Sequence, residues 1–258
     1  IYIDTATNQY NIYFPKDTII DQASLKKSEI QLVFLNLEEN DINNLILDFN
    51  YELDFFLYGD TSKIVRMAQH DKEFQEALNN FKIYLSNRYK NKKIKYLHNY
   101  IRYEIALLEQ LANQNKGEFY KEYLYENYLN KKELNYSNDA YMQFFNQFYS
   151  DVFKIGGSQL NKEILLAVNN NDFKGLYDII RNSKYFSSDQ ISELAIIKGL
   201  FDSYSLSKYN LQNVLLFLVK ISKESKWRLH KELAYNCINE LTKFSVGAIC
   251  PTITVIDK

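Results

Sequence analysis

Glycine and proline are scarce in this chain of 258 residues, which contains seven glycines and two prolines. Both residues usually mark turns, because glycine allows unusual backbone angles and proline interrupts helices and inner strands. Their scarcity excludes a chain of many short elements joined by turns. The sequence therefore predicts long regular elements and a mainly helical protein.

Cysteine is scarce as well, and occurs only at Cys237 and Cys250. Two cysteines are too few for a disulfide-stapled scaffold. Cys237 falls on the apolar face of a predicted helix with Ala234, Ile238 and Leu241, so we expect a buried and unreactive thiol. The role of Cys250, at a junction after that helix, stays open.

An excess of charge of either sign is lacking, since 31 basic residues are balanced by 32 acidic ones. A nucleic-acid-binding domain would carry a basic surface, so this balance argues against a nucleic-acid partner. No run approaches the ~18 uncharged apolar residues that a transmembrane helix needs. No signal peptide is recognisable, and because segment 1–3 is already strand-like, we expect that further residues, removed or simply not included here, precede this chain.

No motif for a known chemistry is complete in the chain. His70, His98 and His230 lie on different predicted helices, whereas a zinc site needs His, Cys or carboxylates clustered at helical spacing. The pair Gly156–Gly157 lacks the Lys-Ser/Thr of a phosphate-binding loop and predicts a turn. We therefore predict no catalytic, cofactor-binding or metal-binding residue, although a Ser–His–Asp or Cys–His pairing in space stays open.

Aromatic residues, by contrast, are abundant, with 22 tyrosines and 17 phenylalanines. A tyrosine at the edge of a helical core buries its ring and keeps its hydroxyl in water, which is the simplest use of so many rings. An aromatic surface that docks a partner or a sugar is the alternative interpretation.

The first part of the chain, residues 1–60, is predicted to be rich in β-strands. Two short apolar runs precede a longer one in which every second residue is apolar, the pattern of a half-buried strand. Its acidic residues Asp48, Glu52 and Asp54 are expected on a solvated face, with a cation site as the alternative. The three predicted strands cover 10–14, 29–36 and 47–57.

Residues 61–245 are predicted to form a helical domain, because the apolar period changes from two to about 3.6 after Gly59. Ser187 and Gln190 form a predicted capping box at the start of one helix. No fixed repeat is present, so we expect an irregular antiparallel array. The predicted helices cover 61–90, 94–113, 117–130, 138–154, 160–169, 172–183, 189–205, 211–221 and 226–244.

The last residues, 246–258, leave the helical pattern and enter an alternating β-branched run. The pattern consists of Val246, Gly247, Pro251, Ile253, Val255 and Asp257. It resembles the start of the redox domain in TlpA-like thiol–disulfide oxidoreductases of the Bacteroidota, where it reads approximately V-G-x-x-A-P-x-F-x-L-x-D. Cys250 stands in place of the usual alanine, and Thr252 in place of the usual aspartate. The stretch Glu193–Phe201 also looks like the helical region of these proteins.

The resemblance implies that 246–258 contains the first strand of a thioredoxin-like domain. Such a domain exchanges disulfides through a Cys-x-x-Cys at a helix N-terminus, where the helix dipole lowers a thiol pKa. The chain contains no Cys-x-x-Cys, so no catalytic residue is carried over to it. The same residues are also similar to the cis-proline segment late in thioredoxin folds, but that segment would have to follow a Cys-x-x-Cys.

The expectation is thus a mainly α protein, with a β-rich region at 1–60, a helical domain at 61–245 and the start of a thioredoxin-like domain at 246–258. The resemblance implies a non-catalytic region that positions the redox domain, or holds a protein partner, in the periplasm or cell envelope. A membrane anchor would lie in residues outside this chain. The alternative is a helical interaction subunit of an envelope assembly without redox activity.

Overall fold

The computed structural model of the chain describes residues 11–13, 33–34, 36–59, 71–113, 116–130, 133–154 and 157–243. These residues are mainly helical and include ten α-helices. The chain divides into two compact units, Ile1–Ile105 and Ala106–Lys258, which we call the first and the second unit. None of the described helices is long and apolar enough to cross a membrane.

The first unit contains two short strands and the first helices. Strand β1 pairs antiparallel with strand β2, so that Ile12 lies opposite Phe34 and Tyr13 opposite Val33. The remaining residues of the predicted strands at 10–14 and 29–36 lie outside the described residues, apart from Asn11 and Asn36. The elements of this unit are β1 (Ile12–Tyr13), β2 (Val33–Phe34), α1 (Ile42–Tyr58), α2 (Asp71–Tyr89) and the start of α3 (Lys95–Ala112), in which the boundary between the units falls.

The third predicted strand, at 47–57, is wrong, because these residues belong to helix α1. Asp41 caps this helix, and its Oδ1 accepts the backbone N–H of Asn43 at 2.8 Å. The buried residues Ile42, Leu45 and Phe49 follow a helical spacing that begins before the alternating run. Within the described residues, helix therefore begins at Ile42 and not at 61. Of the predicted helix at 61–90, the part Asp71–Tyr89 is present as α2, and 61–70 lies outside the described residues.

The second unit follows the predicted order of helices closely. Each predicted helix is present, and helix α4 continues into a π-helical turn at Tyr125–Leu129. A 3₁₀ turn, Val152–Lys154, follows α5. The helices are α4 (Gly117–Leu124), α5 (Asp139–Phe148), α6 (Gly157–Asn169), α7 (Phe173–Arg181), α8 (Asp189–Ser203), α9 (Leu211–Glu224) and α10 (Arg228–Thr242). The prediction of helices without a sheet is confirmed for the described part of this region.

Helix α8 is the centre of the second unit. It is enclosed because α7, α9, α10 and the 3₁₀ turn all pack against it, so that apolar side chains around its whole circumference are buried. Most of its residues, which include Ile191, Leu194, Ala195, Ile196, Ile197 and Leu200, are shielded from solvent. The site described below is built on this helix.

The turn that leads into α8 holds a tyrosine in an unusual conformation. Tyr185 has φ 76°, a region that a bulky L-residue rarely adopts. Its ring lies 5.3 Å from that of Tyr125 and 5.8 Å from that of Phe148, measured between centroids. Its carbonyl accepts the hydroxyl of Tyr149 at 2.7 Å. These contacts offset the cost of the strained backbone, which is about 1–3 kcal/mol.

Gly199 on α8 allows the 3₁₀ turn to approach closely. A Cβ at this position would lie 2.5 Å from Cε1 of Phe153 and 2.6 Å from Cγ1 of Val152. Glycine inside a helix ordinarily costs about 1 kcal/mol relative to alanine. At this position the smaller residue is required by the neighbouring side chains.

We predict that Gly199→Ala lowers the free energy of unfolding by about 1–3 kcal/mol, since overpacking outweighs the gain in helix propensity. Urea unfolding followed by circular dichroism measures the change. Asn236→Ala, at an exposed position of α10, is the control and should not destabilise the protein. An increase in stability for Gly199→Ala would show that the turn does not pack tightly on α8.

Candidate functional site

A buried chain of hydrogen bonds runs through the second unit and links segments that are far apart in sequence. Its centre is Glu193 on α8, which is 6% exposed, and His230 on α10, which is 0% exposed. Ionisable groups in such positions are costly unless hydrogen bonds satisfy them. The partners of these two side chains therefore determine what the site can do.

His230 is held at both ring nitrogens. Its Nδ1 lies 2.8 Å from Oε1 of Glu193, and its Nε2 lies 2.6 Å from the hydroxyl of Tyr136. Since a carboxylate only accepts, Nδ1 carries the hydrogen and Nε2 accepts the hydroxyl hydrogen of Tyr136. Gln190 Nε2 donates in turn to the Tyr136 oxygen at 3.1 Å. Each side chain in this part of the network thus has a hydrogen-bond partner.

Glu193 receives two further hydrogen bonds. The hydroxyl of Ser225 donates to its Oε1, and the hydroxyl of Tyr177 donates to its Oε2. Burial acts to raise the pKa of Glu193, but the hydrogen bonds from His230, Ser225 and Tyr177 outweigh burial and leave that pKa below its usual value of 4.5. Burial likewise raises the pKa of Tyr136 to about 12. The carboxyl is therefore ionised and the phenol neutral at neutral pH.

Local capping places these side chains. Ser188 is the N-cap of α8, and its Oγ accepts the N–H of Ile191 at 3.2 Å. The predicted capping box of Ser187 and Gln190 is therefore wrong: the N-cap is Ser188, and the side chain of Gln190 donates to Tyr136 instead. At the other end of the network, Ser225 ends α9 and its Oγ accepts the N–H of Trp227 at 3.1 Å. This tight turn brings the first turn of α10, and His230 with it, against Glu193.

An open groove of about 320 Å³ lies beside Glu193. Lys226 Nζ is 4.4 Å from the centroid of the Trp227 ring, and Lys220 Nζ is 4.4 Å from that of Phe173. Asp189 pairs with Lys226 at 3.6 Å and also with Arg181 at 3.1 Å. Positive and negative groups at this groove thus largely pair with one another or lie on aromatic rings.

The network does not have the geometry of a Ser–His–acid triad. In such a triad the histidine bonds to the serine and takes its proton. Here Ser225 and His230 both donate to the carboxylate of Glu193, and the second nitrogen of His230 is occupied by Tyr136. The imidazole of His230 therefore does not face the hydroxyl of Ser225. The arrangement joins five segments of the fold: the turn at Tyr136, α7, α8, the end of α9 and α10.

Cys237, which we predicted to be buried and unreactive, is half-buried and free. The helical phase of the prediction is right, since Ala234 is buried and Ile238 and Leu241 are half-buried. The degree of burial is overestimated, because α10 packs against α8 and α9 on one side. Burial, together with the charge of Asp202, raises the pKa of the Cys237 thiol to about 11. Cys250 and all of 246–258 lie outside the described residues.

The acidic residues at 48–54 lie on helix α1 and not on the solvated strand face of the prediction. The guanidinium of Arg88 binds both carboxylate oxygens of Asp48, at 2.7 and 2.9 Å from Nη2, and lies 3.5 Å from Glu52. Asp54 is exposed. Arg88 thus occupies the position that a bound cation would need.

The three histidines are not brought together. His98 is exposed in the first unit, His230 is buried in the second, and His70 lies outside the described residues. Across the described ranges, no three His, Cys, Asp or Glu side chains are grouped so that they could hold a metal ion.

Sequence reasoning missed Glu193, Ser225, His230 and their tyrosine partners. Two signals were present. Glu193 is a charged residue inside the apolar run 191–197, and His230 precedes Ala234 and Cys237 by four and seven residues, which places it on the inward stripe of α10. Both signals indicate buried polar groups, and such groups need partners.

The comparisons with known proteins add no relative, since no family model, curated protein or solved structure matches the chain.

We predict that Glu193→Gln lowers the free energy of unfolding at pH 7 by about 1.5–3 kcal/mol, because three hydrogen bonds to a charged acceptor are lost or weakened. Chemical denaturation measures the difference. Glu232→Gln, which breaks the exposed ion pair with Arg228 on α10, is the matched control and should leave the midpoint unchanged.

The difference in stability between the wild type and Glu193→Gln should depend on pH. The lowered pKa of Glu193 stabilises the folded state fully above the usual carboxyl pKa of 4.5, and this stabilisation is lost as the pH falls through the lowered value. The advantage of the wild type over Glu193→Gln should therefore shrink below pH 4.5. A difference that stays constant down to pH 3 would show that the carboxylate charge does not stabilise the fold.

Another prediction concerns the reactivity of the Cys237 thiol. The Cys250→Ser variant is used, so that Cys237 is the only thiol that can react. At pH 8 the raised pKa leaves little thiolate, so a disulfide reagent should modify native Cys237 about a hundredfold more slowly than the same protein in denaturant. Modification is followed by absorbance. Equal rates in the two states would show that the thiol is exposed and that α10 does not cover it.

Proposed function

We propose that residues 1–245 are the non-catalytic positioning and interaction region of a cell-envelope thiol–disulfide oxidoreductase of the TlpA-like kind. The observation that supports positioning is the anchoring of α10, whose His230 is locked to Glu193 in the middle of the second unit. Helix α10 ends at Thr242, four residues before Val246. A domain that begins at Val246 would start from a fixed point.

The redox part of the proposal is supported by the resemblance of 246–258 to the start of such a domain. The resemblance also implies the Bacteroidota type, a periplasmic or envelope location and a protein partner. The thiol that the structure describes, Cys237, fits a passive role. Cys237 is half-buried with a raised pKa, whereas thiol–disulfide exchange needs an accessible thiolate beside a resolving thiol.

The second candidate is a helical interaction subunit of an envelope assembly without redox activity. It is favoured by the exposed apolar side of α1, where Tyr51, Phe55 and Tyr58 are all more than half exposed. Such a surface serves binding irrespective of whether a redox domain follows. The two candidates therefore differ in what lies after Lys258.

The decisive experiment is to determine the coding sequence beyond Lys258 and to assay both forms for insulin reduction. We expect a Cys-x-x-Cys within ~40 residues, as befits a domain of ~100 residues, and activity in the extended protein only. Residues 1–258 alone should match buffer. Turnover by residues 1–258 that is lost in a Cys237→Ser, Cys250→Ser variant would contradict the passive role, and absence of the Cys-x-x-Cys would favour the second candidate.

A further inference from the structure

One side of α1 carries a continuous row of exposed apolar side chains. Leu47, Tyr51, Phe55 and Tyr58 are separated by four, four and three residues, so they lie along one side of the helix. Their exposed fractions are 42, 71, 65 and 63%. Single exposed apolar residues are ordinary on protein surfaces, but a row over three turns forms a patch. We call these four residues the α1 stripe.

The opposite side of α1 is apolar too and is already in use. Phe49 is fully buried and meets the edge of the Tyr100 ring, at 5.8 Å between centroids. Phe56 stacks on Phe81 of α2 at 4.3 Å. Among the described residues, α1 is thus attached to its own unit through this opposite side, and the α1 stripe is exposed.

The charges of α1 decide what kind of surface fits. The helix carries Asp48, Glu52 and Asp54 and no basic residue. Arg88 pairs with Asp48 and Glu52, whereas Asp54 is exposed next to Phe55. The last turn of α1 contains no basic side chain, so no residue of this helix compensates the negative end of its dipole. A complementary partner must bring positive charge to this end of the stripe.

We propose that the α1 stripe binds an amphipathic helix of a partner protein whose apolar face is bordered by lysine or arginine. A second copy of this chain fits poorly, because two α1 helices would bring their carboxylates together. A membrane with anionic lipids would repel the same carboxylates. This inference rests on the interaction role proposed above, and it does not require a redox domain after Lys258.

The test uses the 258-residue chain and two labelled helical probes with the same leucine face, one with lysine and one with glutamate on the polar face. Fluorescence anisotropy should show saturable binding of the lysine probe only. Phe55→Ser combined with Tyr51→Ser should weaken it about tenfold or more. Asp54→Lys and high salt should weaken it as well.

Matched controls keep the result specific. Phe119→Ser removes an equally exposed phenylalanine, 83% exposed on α4, and should leave the affinity for the lysine probe unchanged. Circular dichroism should show unchanged helicity in all variants, since the replaced side chains are exposed.

Several outcomes would overturn the inference. They are equal binding of both probes, no effect of the stripe variants, a dimer in sedimentation that Phe55→Ser abolishes, or vesicle binding that Phe55→Ser abolishes. The last two would assign the stripe to a second copy or to a lipid surface. If the lysine probe does not bind but a Cys-x-x-Cys is found after Lys258, this inference is wrong. The proposed redox role would then still stand.

Discussion

The carboxylate of Glu193, enclosed among the helices of the second unit, is the group on which their arrangement depends. A buried charge is costly unless donors surround it, and its donors come from three other segments: Tyr177 on α7, Ser225 at the end of α9 and His230 on α10. Each donor reaches the carboxylate only when its segment keeps its position along α8. Apolar contacts are not directional. The carboxylate of Glu193 therefore fixes how α7, the end of α9 and α10 are positioned along α8.

The helices of the second unit could be predicted from sequence because independent local signals agree there. Apolar periodicity marks each helix, and polar caps such as Asn138, Asp172 and Asn210 accept N–H groups of the first turn. In α1 the signals conflict. Its apolar residues fit a period of two as well as a helical one, and the helix is packed by tertiary contacts, such as that of Phe49 with Tyr100. The spacing of apolar residues in a short stretch of sequence does not reveal such tertiary contacts.

The site could be predicted much less well than the helices. Each of its side chains is individually ordinary, and the network exists only because the fold brings together Tyr136 and His230, which are 94 positions apart. A charged residue in an apolar run indicates that Glu193 needs partners, but not which ones. For Cys237 the helical phase follows from the sequence, whereas the half-buried state depends on how far the neighbouring helices extend over α10.

The hydrogen-bonded residues of this network are far apart in sequence, and this affects the order in which the second unit folds. Helical hydrogen bonds close over a few residues and form early, whereas a contact across 94 positions must first meet a large loop-closure cost. During synthesis, α8 emerges with Glu193 long before its histidine partner exists. A chain that has not yet reached residue 230 would have to leave α8 partly hydrated, because the carboxylate of Glu193 still lacks its donor from α10, His230. The core of the second unit is therefore completed only when its last described helix has been made.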